Sequence, residues 1–445
     1  MADEQAEADE RSARRARRGL LALFAALVLS ALVFMLTVDR PVFDDTANLR
    51  DIERYATLGV DAATLGAHVN PAGPLSYVWI AALGEALGGG LLGFRLAVLA
   101  SWLLLGLLAW RWSVRTTVRA PLWVPALALL TFAHVPTAMA TLLTEGPALL
   151  FALGGTLVLL TTLRRAADGR HAGLGFATSG LLLGLAVVAR QYYLCLLPAA
   201  ALSTVWTLRR AGRAWRGALS PLLGLALALL PIALLYALWG SLTSPGMQQL
   251  GSAYTNFDAY VGVNPARVLT AALYLGVYAL PLALPALLAR RRRLLWTCLF
   301  GALVVAGVLR VAGLEVWGGA GTGPLQSLVS SATRLAGPLG ELTFLATVAA
   351  GALGVASLTL TVTSHGDAVA REPLALLSAL ALAFFVLQQI GIGGNIPFYD
   401  RYVLQVIAFA GALAAVTLGA PRRWQLALLG ASAALGQIML WRHVL

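Results

Sequence analysis

Apolar runs of about 16–25 residues recur along the whole chain, and this recurrence limits the fold more than any other feature. A helix made from such a run can cross about 30 Å of hydrocarbon. Inside hydrocarbon every backbone amide must find its partner within the protein, which leaves helices or a closed barrel. No run of alternating polar and apolar residues is present, so a barrel does not fit. The chain is 59% hydrophobic and 12% charged, outside the range of soluble domains. The expected fold class is all-α: a polytopic membrane helix bundle in which Gly and Ala allow helices to approach closely.

Hydropathy gives about thirteen spans. They are residues 19–38, 95–110, 121–138, 146–163, 172–189, 192–208, 218–242, 268–288, 294–314, 342–362, 374–390, 403–418 and 424–440. The net charge of +12 comes without any lysine. Its arginines cluster at 11–18, 111–119, 164–170, 209–216 and 290–293, and at Arg371, Arg422 and Arg423. Every cluster falls on an even-numbered connection, as the positive-inside rule requires of cytoplasmic segments. The charge therefore reads as topology and not as a nucleic-acid surface. The N-terminus is expected in the cytoplasm, with 1–18 a basic tail and 19–445 the membrane domain. The first apolar run is too long for a signal-peptide core and has no small-residue cleavage site, so it is expected to be retained. Cys195 and Cys298 lie in apolar runs and read as small core residues.

The segment around 74–87 is apolar but short, and it contains Glu85. Counting it as a span would reverse every later arginine cluster, so it reads as a juxtamembrane or re-entrant helix on the outer side. The connection 39–94 then becomes one long first outer loop. The other outer connections are Thr144–Glu145, Arg190–Gln191, 243–267, 315–341 and 391–402. The inner connections carry little besides arginine, so chemistry is expected on the outer face.

Candidate site residues follow from charge placed at the membrane border, where it is costly unless partnered. Asp44 and Asp45 lie just past the first span; one could deprotonate an acceptor hydroxyl, or either could cap a following helix. His68 and Asn70 could contact substrate or, with Asp44 or Asp45, hold a divalent metal ion. Glu145 could orient substrate or pair with an arginine. Arg190, beside Gln191 and Tyr192, departs from the positive-inside pattern; it suits an anionic ligand such as phosphate, or a structural pair with Glu145 or an aspartate. Arg401 and Tyr402 could add a second phosphate contact, or snorkel in an aromatic belt. Arg50, Arg54, Arg95, Arg267, Arg310 and Arg334 are weaker candidates. No Walker motif, CxxC pair, HExxH or nucleophile elbow is present, so ATP-driven transport and zinc hydrolysis have no support.

The layout resembles the GT-C superfamily of membrane glycosyltransferases, which includes protein O-mannosyltransferases, lipid A aminoarabinose transferases and dolichyl-phosphate-glucose transferases. The resemblance lies in four features: the acidic pair Asp44–Asp45 after the first span, the Pro-containing segment 70–77 leading through 93–96 into the next span, the acidic Glu145, and Arg401–Tyr402 opening a late span. Arg190–Gln191 is similar to an element of the glucosyltransferase branch. The segment before the short helix departs from the family's Pro-Pro-rich pattern, and the oligosaccharyltransferase WWD-type motif is absent. The resemblance implies inverting transfer of a sugar from a polyprenyl-phosphate donor, on the non-cytoplasmic face, to a glycan, lipid or protein acceptor. It makes Asp44 or Asp45 the general base and Arg190 and Arg401 the donor-phosphate ligands. No cofactor is required beyond the lipid-phosphate sugar and a candidate divalent metal. The alternative is a transporter or flippase for a lipid-linked or anionic substrate; it would be expected to show internal repeats, and none is evident. An acyltransferase would call for a buried histidine base, which the sequence does not single out.

Overall fold

The computed structural model describes residues 2–42, 44–70, 72–115, 123–241, 244–253, 265–290, 292–311, 338–391 and 400–442. Among these, regular structure is entirely helical. The first half comprises α1 (Ala2–Thr37), α2 (Asp45–Leu58), α3 (Ala62–Gly66), α4 (Pro74–Ala86), α5 (Gly90–Arg115), α6 (Trp123–Leu130), α7 (Val135–Ala140), α8 (Glu145–Ala167), α9 (Gly173–Ala189) and α10 (Leu196–Arg210). The second half comprises α11 (Trp215–Ala226), α12 (Leu229–Trp239), α13 (Pro245–Ala253), α14 (Pro265–Leu288), α15 (Arg292–Val311), α16 (Pro338–Ser364), α17 (Gly366–Arg371), α18 (Pro373–Leu387), α19 (Ile407–Thr417) and α20 (Arg423–Trp441).

The described residues of the thirteen apolar runs are largely helical, and eight helices among the described residues are long and apolar enough to cross a membrane. The remainder are short or broken. The run 121–138 divides into α6 and α7 because Thr131–His134 turns and Pro136 sits in the first turn of α7, where its missing amide donor does no harm. The run 403–418 begins as the 3₁₀ turn Asp400–Gln405 and becomes α-helical only at Ile407. The basic tail is not a separate element: its arginines continue helically into the first span as α1.

The connections segregate by parity. At one end, Arg164 pairs with Glu372, Trp206 donates to the Ala370 carbonyl and Arg290 bonds Ser364. A cavity of about 240 Å³ at that end gathers Ala289, His365 and Gly419–Arg422. These are all even-numbered, arginine-bearing connections. At the other end, segments around Asp44, Leu142–Glu145, Arg190, Arg267, Gln388–Gln389 and Arg401 contact one another. Helix α4 does not cross between the two ends. Its 13 residues span about 20 Å at 1.5 Å per residue. Asp45 before it and Arg95 after it are joined by an ion pair of 2.6 Å, which a crossing of about 30 Å would forbid.

Close helix packing rests on glycine where a side chain has no room. A Cβ on Gly276 would lie 2.0 Å from the Gly351 carbonyl oxygen, and one on Gly354 1.9 Å from that of Gly276. Helices α14 and α16 therefore touch through their backbones, as small-residue stripes allow in lipid. In the outer loops, residues 254–264, 315–337 and 392–399 lie outside the described residues.

Gly354→Val is expected to force α14 and α16 apart, at a cost of about 1–3 kcal/mol. Thermal unfolding in detergent should record this as a lower midpoint, whereas Gly301→Val, a position with open space, should leave the midpoint near wild type.

Candidate functional site

Asp45 begins α2 and is buried. Its Oδ2 accepts from Arg95 Nη2 at 2.6 Å and Nε at 3.2 Å, and from the Val42 amide at 3.3 Å; its Oδ1 accepts from the Leu142 amide at 2.6 Å. Arg95, itself buried, also donates to the carbonyls of Val38 and Arg40. Burial raises the Asp45 carboxyl above the ordinary aspartate value, while the Arg95 hydrogen bond and the two amides pull it down. Four hydrogen bonds thus use this fully buried carboxylate to join three segments.

One turn further along α2, Asn48 donates to the Leu142 carbonyl at 3.0 Å and accepts from Asn70 Nδ2 and Tyr77 Oη at 2.9 Å each. Asp51 holds Arg54 at 3.0 Å, the Asn70 amide at 3.1 Å and His68 Nδ1 at 3.3 Å. His68 reaches the Ala72 carbonyl through Nε2 at 2.7 Å, so that nitrogen carries a proton. Burial lowers the His68 pKa and Asp51 opposes the shift. His68 and Asn70 therefore brace the inside of the first loop.

Asp44, the neighbour of Asp45, faces a different partner. Its carboxylate pairs with Arg401 of the 3₁₀ turn Asp400–Gln405, and its side chain is 33% exposed where that of Asp45 is 0%. Burial raises its pKa, but Arg401, with Arg190 and His134 also in electrostatic reach, outweighs that and holds it below the ordinary value. Asp44 occupies the N-cap position of α2, yet its side chain makes no capping hydrogen bond. The capping reading is not met by either aspartate, because both carboxylates are drawn to arginines.

Glu145 opens α8 and pairs with Arg190 at 2.8 Å; Arg190 Nε also donates to Thr144 Oγ1 at 2.9 Å. Arg190 leaves the helix in extended conformation, φ −153° and ψ 117°, before the 3₁₀ turn Gln191–Cys195. Gly73 makes this junction tight, since a Cβ there would lie 1.8 Å from the Val188 carbonyl oxygen. Next to it, the Tyr192 and Tyr402 rings pack at 4.5 Å and Arg401 lies over Tyr402 at 5.7 Å. Arg267 donates to Tyr192 Oη at 3.0 Å and to Gln389 Oε1 at 3.3 Å, and Gln388 Nε2 donates to the Tyr192 carbonyl at 2.7 Å.

The structure thus brings Asp44, Glu145, Arg190, Tyr192, Arg401 and Tyr402 together at one end of the bundle. Gln191 is half-buried in the same 3₁₀ turn. Arg401 is paired and mostly buried rather than snorkelling. His68 and Asn70 turn to Asp51 and Asn48 instead of joining Asp44 or Asp45. The donor set for a metal ion does not fit: each aspartate faces a guanidinium, and among the described residues no group of three His, Cys, Asp or Glu side chains could hold a cation. Two histidines, His68 and His134, are buried, contrary to the sequence expectation. Asn48, Asp51, Tyr77, His134 and Tyr193 belong to the site without having been singled out, and Arg95 and Arg267 matter more than their weak ranking. Their signal in sequence is faint because each is a single polar residue whose partner is distant in the chain.

Comparison with known proteins returns distant structural neighbours. They are ArnT from Cupriavidus metallidurans in the apo state, at 16% identity over 96% of this chain and 78% of that one, TM-score 0.37; ArnT bound to undecaprenyl phosphate, at 15% identity over the same shares, TM-score 0.39; and arabinosyltransferase EmbB from Mycobacterium smegmatis, at 16% identity over 94% of this chain and 40% of that one, TM-score 0.35. No family model and no curated protein matches. Superposition at these scores is too loose to transfer residues or activity, so function has to be read from this chain's own geometry.

The two aspartates should separate in stability. Asp45→Ala leaves Arg95 buried without its counter-charge and is expected to cost about 3–5 kcal/mol. Asp44→Ala, at a partly exposed pair, is expected to cost about 1 kcal/mol or less. Thermal melts of the two variants in the same detergent check the order.

Proposed function

We propose that this chain is an integral membrane glycosyltransferase that moves a sugar from a polyprenyl-phosphate-linked donor to an acceptor hydroxyl. The observation that carries the reading is the Asp44–Arg401 pair, with Arg190 close enough to act on the same carboxylate. A partly exposed base and two guanidinium groups then share one end of an apolar bundle, which is the combination that lipid-phosphate sugar transfer needs. The opposite end carries the arginine clusters, and the positive-inside rule assigns those to the cytoplasm. The site accordingly faces the non-cytoplasmic side. The ArnT likeness, although too weak to argue from, is to a protein with undecaprenyl phosphate bound.

The chemistry follows from the geometry. The donor's lipid tail lies among the spans, and its phosphate meets Arg401 and Arg190, which stabilise charge on the departing phosphate. Guanidinium groups suit a phosphate because they can bind two oxygens at once. As phosphate competes for Arg401, the hold on Asp44 weakens and the carboxylate becomes a stronger base. Asp44 takes the proton of the acceptor hydroxyl as its oxygen attacks the anomeric carbon. The C–O bond to phosphate breaks as the new glycosidic bond forms, and a single displacement inverts the configuration. Asp45 keeps the loop in place and takes no proton. A transporter would also place arginines at the membrane border, but among the described residues the polar cluster gathers at one end.

Purified protein supplied with a polyprenyl-phosphate sugar and an acceptor should form a new glycosidic linkage of inverted configuration. Asp44→Asn should lower turnover by about 10²–10⁴-fold; full activity in that variant would remove Asp44 as the base, and donor translocation without any linkage would favour the transporter. The pH profile adds a second check. Asp44 is held below its ordinary value of 3.8 by Arg401 and Arg190, so it stays ionised through the neutral range. The acid limb of kcat/KM reports the free enzyme and should move to higher pH in Arg401→Gln, which removes the opposing charge.

A further inference from the structure

A buried polar group without a hydrogen-bond partner is destabilising, and native structures contain few of them. Glu145 of the Glu145–Arg190 pair and two side chains on turns packed near it, Tyr193 and Gln405, carry such groups. Glu145 is fully buried; its Oε1 is ion-paired with Arg190 at 2.8 Å, and its Oε2 has no hydrogen-bond partner among the described residues. The Tyr193 hydroxyl is fully buried, has no partner and lies in electrostatic reach of both Glu145 and Arg190. Gln405 is fully buried with both its amide oxygen and nitrogen unpartnered. The 3₁₀ turn that carries Gln405 packs against α8 and against the turn that carries Tyr193.

These groups define their ligand by chemistry. A carboxylate can only accept, a phenol donates or accepts, and a primary amide does both. A phosphate is repelled by Glu145 and is better served by Arg401. A cation meets Arg190 already in place. An apolar group satisfies none of the three. What fits is a neutral ligand with several hydroxyls on neighbouring carbons, able to donate to Glu145 and exchange hydrogen bonds with Tyr193 and Gln405. We propose that Glu145, Tyr193 and Gln405 form the subsite for the hydroxyl groups of the transferred sugar, with Tyr193 as its specificity-determining contact. This deepens the glycosyltransferase reading and rests on it.

The absence of protein partners gives the test an uncommon signature, because stability and activity should move in opposite directions. Tyr193→Phe deletes a hydroxyl that no described residue satisfies, so its thermal midpoint should equal or exceed that of wild type. The probes are polyprenyl phosphates carrying glucose, mannose, galactose or arabinose, together with the monodeoxy analogues of whichever sugar wild type transfers. Tyr193→Phe should lower kcat/KM for the parent donor by roughly tenfold or more. It should leave unchanged the rate with the one analogue that lacks the contacted hydroxyl. Gln405→Leu serves as the second variant and should behave in the same way with a different analogue. Equal losses on parent and all analogues, or no loss at all in either variant, would overturn the subsite while leaving the transferase reading intact. Failure of wild type to transfer any of the four sugars would instead count against the transferase reading, and the subsite would fall with it.

Discussion

A carboxylate removed from water has to be neutralised where it stands, and Asp45 is neutralised by Arg95. That pair fixes the start of α2 against the start of α5, and the two amides that complete it bring in the ends of the first span and of α7. The adjacent residue is then forced to point elsewhere, so Asp44 is directed to the segment that carries Arg401. Two neighbouring aspartates thus acquire different roles from their surroundings: one is spent on the scaffold, and the other remains open.

The same logic orders the rest of the site end. Asn48 and Asp51 on α2 tie down the Asn70 loop, and Gly73 lets that loop touch the end of α9 where Arg190 emerges. Arg190 is thereby presented beside Glu145. Arg190 and Arg401 are both held by carboxylates, which keeps the charges balanced in a low-dielectric setting. Under the proposed function, an arriving phosphate would exchange one anionic partner for another rather than face an unpaired charge. The tyrosine stack of Tyr192 and Tyr402, with Arg267 on its far side, links this region to α14 and to the end of α18.

Burial explains why some side chains stood out in the sequence and others did not. Asp44, Glu145, Arg190 and Arg401 are charges at the ends of apolar runs, and the cost of such placement marks them without any structure. His68 and Asn70 were marked by the turn residues around them, and their hydrogen bonds are made within the loop. Tyr193, Tyr77 and His134 look like ordinary members of apolar stretches. Only the neighbours that folding brings from elsewhere give them a polar environment.

The amino-acid order by itself determined the all-helical class, the apolar runs that become helices, and the alternation of arginine-bearing and arginine-free connections. These follow from one-dimensional periodicity and from the high cost of placing polar groups in hydrocarbon. Tertiary structure alone decided that α4 stays at one end, that the run 121–138 breaks in two, and which aspartate meets which arginine. Those outcomes depend on contacts between residues 50 to more than 350 positions apart, such as Asp45 with Arg95 and Asp44 with Arg401. No local pattern encodes them, because a buried charge specifies that it needs a counter-charge but not from where in the chain that partner will come.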